Sequence, residues 1–264
     1  MKGKEGEPRP PLQGLATENG CIRPPRTVLV TGGSRGIGLG IAKSFAAQGD
    51  TVIINGRTDC AALEQSVEEL TQMGGKAAGF IADLSDYQQA QDMYAHIQAE
   101  YGPVEVLVNN AGAAYYGLFS DMTPGDWQGV LANNLLTAIN ASHLAVPAMV
   151  QAKRGCIINI TSVWGIAGAS CEVMYSVAKA GVIGFTKALA RELGPSGVRV
   201  NAIACGAFDT RMNDNLAPDE KTAFADTIPL GRFGHPREAG SLAVYLADAD
   251  YLTGQVIVLD GGLV

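Results

Sequence analysis

The chain has 264 residues, 47% hydrophobic and 17% charged, which supports one sizeable core and excludes a chain disordered throughout. Its 19 basic and 26 acidic side chains leave a net charge of −7, a poor match to a nucleic-acid backbone. Five cysteines without a CxxC pair argue against a disulfide framework or a zinc site, and no stretch of about 18 apolar residues is evident, so no membrane span is expected.

Residues 1–25 carry Pro8, Pro10, Pro11, Pro24 and Pro25 among Gly, Glu and Lys, with no hydrophobic period and no apolar signal segment. They read as a disordered tail, and the thiol usage fits a cytoplasmic location. From Thr27 the pattern changes. Thr27–Thr31 (TVLVT) is a β-branched strand, followed by a glycine-rich turn and a helix over Ile37–Gln48 with Ile37, Ile41 and Phe45 on one face. Thr51–Asn55 is the second strand, and Leu63, Val67 and Leu70 mark the second helix. Further strands are expected at Ala77–Ala82, Val104–Val108, Cys156–Ile160, Val198–Ile203 and Val256–Leu259, with helical segments between them. Strands that run apolar at most positions and alternate with helices predict an α/β fold: a doubly wound, parallel, seven-stranded sheet covered on both faces. No internal repeat or linker divides 26–264, which reads as a single domain. Its one irregular stretch, about 206–234, is expected to form a substrate loop.

The first strand runs into Gly32-Gly33-Ser34-Arg35-Gly36-Ile37-Gly38. Glycines let backbone approach a ligand closely, and a helix N-terminus beyond them favours a pyrophosphate. The placement of the motif, after the first strand and opening the first helix, predicts a Rossmann-type dinucleotide site. Its spacing, G-x-x-x-G-x-G, resembles that of the short-chain dehydrogenase/reductase family. The likeness extends from Thr27 to Gly262: Asp83-Leu84 after the third strand, Asn109-Asn110-Ala111-Gly112 after the fourth, and Asp260-Gly261-Gly262 near the end. The resemblance implies that Asp83 and Leu84, and the turn Asn110, Ala111 and Gly112, lie beside the adenine.

An NAD site usually places an acid at the end of the second strand, about twenty residues past the glycines. This chain has Asn55-Gly56-Arg57 there, with Arg35 inside the glycine turn. Two guanidiniums suit a 2′-phosphate, so NADP(H) is expected in preference to NAD(H). The competing reading leaves Arg57 as a solvated loop residue.

Tyr175 and Lys179 form a YxxxK pair in the helix after the fifth strand, so both side chains share one helical face. Reduction of a ketone by hydride leaves an alkoxide that must be protonated. A neighbouring ammonium is expected to lower the phenol's pKa for that task. The resemblance makes Tyr175 the acid/base, Lys179 its tuner and a ribose ligand, Ser162 the carbonyl-polarising hydroxyl, and Asn134 the helix asparagine that holds a water. Thr161 competes with Ser162, and Asn133 with Asn134. Alternation along the strand favours Ser162, and register against Leu135 favours Asn134. Thr210 is implied to meet the nicotinamide carboxamide. Cys205 stands where the family usually has a proline, and reads as an inert thiol rather than a nucleophile. His96, His143 and His235 show no metal-ligand spacing, so no metal is expected.

Three functions remain open. Leu189–Asn201 and Ile228–Gly234 resemble 3-oxoacyl-acyl-carrier-protein reductases, implying a ketone carried by an acidic protein. Lys153 and Arg154 offer one basic docking point, but Ser196 falls where a second would be. Gly168–Val173 (GASCEV), with Trp164 upstream, resembles reductases of the 5-aminopentanone group on elongation factor P. There Glu172 would hold a substrate ammonium, or would only favour a helix N-terminus. A non-catalytic dinucleotide binder is the third. The resemblance also implies a homotetramer, with Leu263-Val264 and the helix over Asn134–Val150 as candidate interface surface.

Overall fold

The computed structural model describes residues 24–210 and 217–264. The tail expected over 1–25 falls outside them except for Pro24 and Pro25, and the expected substrate loop is described only in part.

Seven parallel strands form one sheet in the order β3-β2-β1-β4-β5-β6-β7. They are β1 (Thr27–Val30), β2 (Thr51–Gly56), β3 (Ala77–Ile81), β4 (Val106–Asn109), β5 (Gly155–Ser162), β6 (Val198–Cys205) and β7 (Val256–Leu259). Helices α1 (Gly36–Ala46), α2 (Cys60–Gln72) and α9 (Pro236–Asp248) contribute to one buried layer, with Val28, Val30, Ile54 and Val108 from the sheet. Helices α3 (Tyr87–Tyr101), α5 (Thr137–Ala152) and α7 (Val173–Leu193) supply the other, against Leu29, Ile53, Leu107 and Ile157. The two-residue alternation of a strand thus feeds two cores, so both kinds of position must be apolar. Each such side chain, when fully buried, contributes about 1.5–3 kcal/mol.

The strand order reverses between β1 and β4, whose Val28–Val30 and Val106–Val108 pair directly. A crevice opens outside the carboxyl ends of strands at such a reversal.

Two elements depart from the sequence reading. The helical run before β5 consists of α4 (Pro124–Leu131), a π-turn over Ala132–Leu136, and α5. The whole run, Pro124–Ala152, is long and apolar enough to cross a membrane by length and composition, contrary to expectation. Its buried face is that of a core helix: Asn134, Asn140 and Ser142 are all buried, and Asn140 donates to the Leu84 carbonyl at 2.9 Å. The second departure lies in 206–234, where Pro218–Thr227 forms helix α8. Pro218 sits in its first turn, and the Glu220 carboxylate accepts from Ala217 N at 2.9 Å. These are end signals rather than a periodic apolar face, which is why hydrophobic spacing did not disclose the helix.

Candidate active site

The crevice beside β1 is a cleft of about 420 Å³. Gly32, Ser34, Arg35, Gly36, Ile37, Gly38, Arg57, Asp83, Leu84, Asn110, Ala111, Gly112 and Thr210 all line it. Every residue singled out from the sequence for the dinucleotide, apart from Tyr175 and Lys179, therefore meets in one place.

The glycine turn is held open by its own geometry. Gly32 and Gly36 adopt φ of +62° and +53°, a region that side chains disfavour. A Cβ at Gly38 would run into the Gly32 carbonyl and lie 2.5 Å from Asn110 Nδ2. Asn110 Nδ2 donates to the Thr31 and Gly32 carbonyls at 3.0 Å each, and the Asn110 and Ala111 N–H groups reach Thr31 Oγ1 at 3.0 Å. The turn after β4 is thereby stapled to the turn after β1. At the start of α1, Arg35 makes no side-chain cap and the first turn holds no acid, so no side chain of that turn competes with an anion for the helix N–H groups. The cradle fits a dinucleotide pyrophosphate.

At the adenosine end, Asn55 is 2% exposed and its Nδ2 donates to the Gly56, Phe80 and Ala82 carbonyls. Its side chain is spent on the sheet edge. Gly56 offers no side chain, and Arg57 is exposed beside the cleft. Positions 55–58 at the end of β2 hold no carboxylate; Asp59, just beyond, lines the cleft but accepts from Ala62 N at 3.1 Å as the N-cap of α2. Asp83 Oδ1 accepts from Ser85 N and Oγ at 2.9 and 2.7 Å, closing a local turn.

Gly112 joins the cleft to the second cluster: a Cβ there would lie 2.6 Å from Asn134 Oδ1 and 3.4 Å from Lys179 Nζ. Ser162 ends β5 and is buried. Its Oγ accepts from Trp164 N at 3.1 Å, and it lies close enough to the Tyr175 phenol to pull that group's pKa down. Thr161 turns the other way and donates to the Lys179 carbonyl at 2.8 Å. Tyr175 and Lys179 lie one turn apart on α7, 9% and 4% exposed. Asn134 Oδ1 accepts from Ala113 N at 3.2 Å, while Nδ2 donates to the Ala113 and Val130 carbonyls at 2.9 and 3.0 Å.

The electrostatics correct one expectation. Burial first, then the Glu172 charge and Cys205, holds the Tyr175 phenol above its ordinary value; Ser162 pulls the other way. Lys179 is pushed down to about 8, chiefly by burial. The protein alone does not acidify the phenol, because the ammonium faces the ring rather than the hydroxyl and both groups are dehydrated. The Cys205 thiol, buried beside this pair, is pushed up to about 12 by burial. That keeps it a thiol and argues against a nucleophile.

Trp164 and Glu172 lie outside the cleft lining. Trp164 begins the short helix α6 (Trp164–Ala167) and packs against the cluster containing Tyr175. Glu172 occupies the N-cap position of α7 without making a side-chain cap, and burial raises its carboxyl pKa. Among the described residues no three His, Cys, Asp or Glu side chains cluster as a metal site.

A cradle for two phosphates leads through Gly112 to a hydroxyl pair backed by a lysine. Residues 26–221 match the model of the short chain dehydrogenase family. The chain belongs to that family. Among its relatives is the 3-oxoacyl-[acyl-carrier-protein] reductase FabG of Chlamydia muridarum, 38% identical over 240 residues, covering 90% of this chain and 97% of the relative. The uncharacterized oxidoreductase YmfI of Bacillus subtilis is also 38% identical over 240 residues, covering 90% and 98%. A crystal structure of a candidate gluconate dehydrogenase from Agrobacterium tumefaciens superposes with a TM-score of 0.85 at 34% identity, covering 90% of this chain and 95% of that one. As a short-chain dehydrogenase the protein is an oxidoreductase that uses a nicotinamide dinucleotide.

Sequence reasoning missed two features of the site. The π-turn at Ala132–Leu136 has no residue signature. A buried chain, in which Asn109 Nδ2 bridges Ser142 Oγ and Asn159 Oδ1 while Asn159 Nδ2 donates to Thr186 Oγ1, braces β4 and β5 against α5 and α7. Polar residues inside apolar strands were its only trace.

Proposed function

We propose that this short-chain dehydrogenase is an NADP(H)-dependent reductase interconverting a ketone and a secondary alcohol, most like a 3-oxoacyl-[acyl-carrier-protein] reductase. The observation that carries the reaction class is the buried Ser162–Tyr175 hydroxyl pair above Lys179, where the nucleotide cleft ends. When bound, the dinucleotide supplies the hydride. Ser162 orients the carbonyl oxygen by hydrogen bonding, and Tyr175 donates its phenol proton to that oxygen as negative charge develops. The Lys179 ammonium, 5.5 Å from the ring centroid, offsets only part of the burial cost of the phenolate left behind until it regains a proton. Asn134 ties the Ala113 segment to the helix and so fixes Gly112 between the two halves of the site. Arg57 and Arg35, with no acid at the end of β2, support preference for a 2′-phosphate. Relatives named as FabG support a carrier-bound substrate.

A second reading has its own support. Glu172 is a half-buried carboxylate close enough to raise the Tyr175 pKa, and it caps no helix N–H. Such a group suits a substrate ammonium, as in the aminopentanone borne by elongation factor P. Reduction of a 3-oxoacyl thioester and of an amino-ketone, each followed with NADPH and NADH, tests both readings. Glu172→Gln is expected to impair only the amino-ketone under the second reading. Activity on neither ketone class would overturn both. A homotetramer completes the proposal. Exposed Leu136, Ile139 and Val177 on the helices flanking the site, and Tyr245, Val258 and Val264 at the far edge, are its candidate contact surface. Light scattering would measure the assembly.

A further inference from the structure

Asn133 and Asn134 are the same residue type in neighbouring positions, yet they face different halves of the site. Asn134 is 2% exposed and points inward to Ala113 and Val130. Asn133 lines the nucleotide cleft, where its Oδ1 accepts from Arg57 Nη1 at 2.8 Å. The two bonded residues are 76 positions apart in sequence. One follows β2 and the other lies in the π-turn, so the bond spans the cleft from its β2 rim to its helical wall. The wall itself is fixed: Thr137 Oγ1 donates to the Asn133 carbonyl at 3.1 Å. No ion pair of Arg57 is found among the described residues, so this amide oxygen is the contact that orients its guanidinium.

We propose that Asn133 is a positioning residue for dinucleotide selectivity, holding Arg57 over the cleft so that its other N–H groups meet an adenosine 2′-phosphate. The chemistry favours an amide here. Arginine carries five N–H donors in a rigid fork, and the amide oxygen engages one while leaving the positive charge uncompensated. A carboxylate at the same place would form an ion pair and compete with the phosphate. An apolar side chain would free the long arginine to explore rotamers, and the cost of ordering it would fall on the ligand. The inference rests on the proposed preference for NADP(H).

Calorimetric titration with adenosine 2′,5′-bisphosphate and with 5′-AMP tests it on the full chain without turnover. The wild-type protein is expected to bind the bisphosphate more tightly; equal affinities would remove the NADP(H) reading itself. Given that discrimination, Asn133→Leu is expected to weaken the bisphosphate about five- to tenfold while leaving 5′-AMP unchanged. Asn133→Asp should weaken it at least as much. In an Arg57→Ala background the Asn133→Leu change should have no further effect on either ligand. A wild-type preference that survives Asn133→Leu and Asn133→Asp overturns the proposal. So does an equal loss for both ligands, which would make Asn133 a part of the cleft wall rather than a support for Arg57.

Discussion

Lys179 Nζ lies 5.5 Å from the centroid of the Tyr175 ring and donates to the Ile160 carbonyl at 3.2 Å. The ammonium therefore sits against the face of the phenol, not at its hydroxyl. Burial raises the phenol's pKa and lowers the ammonium's, so the first group to lose its proton as pH rises is Lys179, at about 8. NADPH-driven ketone reduction is expected to fall along a one-proton limb above pH about 8 while Tyr175 is still protonated. Initial rates at saturating ketone from pH 6 to 10 check this. A plateau reaching pH 9.5 would contradict it.

Tyr175→Phe removes the proton donor but keeps the ring that packs against Trp164 and Ala178. Turnover should drop by roughly 10²–10⁴-fold, the usual contribution of a positioned acid. Dinucleotide affinity, followed by NADPH fluorescence, should stay within about twofold. A variant as active as the parent would return the chain to the class of binding proteins.

Gly56 and Arg57 together are expected to set cofactor choice. A Cβ at Gly56 would make only ordinary contacts, 3.5 Å from Ile81 Cδ1 and 3.8 Å from Ser34 Oγ, so a side chain can be placed there without a backbone clash. Gly56→Asp combined with Arg57→Ala should exchange a charge-assisted phosphate bond for a carboxylate on the ribose hydroxyls. The ratio of kcat/KM for NADPH to that for NADH should fall by more than about tenfold, since a hydrogen bond to a charged group contributes about 1.5–3 kcal/mol. An unchanged ratio would show that neither position touches the adenosine end.

Helices α1 and α9 approach closely through Gly40 and Gly240. A Cβ at Gly240 would collide with Ser44 Oγ and lie 2.6 Å from the Gly40 carbonyl oxygen. The serine can rotate away; the backbone carbonyl cannot. Gly240→Ala should destabilise by about 1–3 kcal/mol, lowering Tm by roughly 3–10 °C for a chain of this size. The crossing lies on the sheet face away from α7, so activity at low temperature should persist.

Arg232 grips the Glu238 carboxylate through two N–H···O bonds of 2.8 and 2.9 Å, and His235 N adds a third at 2.7 Å. These hold Glu238 down to about 2, with the Arg232 bond the largest cause. A carboxylate whose pKa is depressed on folding stabilises the fold fully above its unfolded value. That stabilisation is lost as pH falls through the folded one. The start of α9 should therefore loosen between pH about 4.5 and 2. Hydrogen exchange of residues 232–240 would register the change, and Glu238→Gln should abolish its pH dependence. Protection that is flat across the window would refute it.

The strands and the dinucleotide cradle were legible because local rules govern them. A strand buried on both faces must be apolar throughout, as in Val28–Val30 and Val106–Val108. A turn with positive φ at Gly32 and Gly36 and backbone contact at Gly38 must be glycine. Tyr175 and Lys179 share a face by helix geometry alone. Other features depend on which surfaces meet. Asn133 and Asn134 differ only in direction, set by a π-turn that widens the helix and by partners 76 and 21 residues away. The protonation of Tyr175 and Lys179 follows from how much water the assembled layers exclude. Local spacing fixed which groups the chain brings to the site; their orientation, neighbours and charge arose only when distant segments packed, because desolvation and side-chain direction are properties of the closed fold.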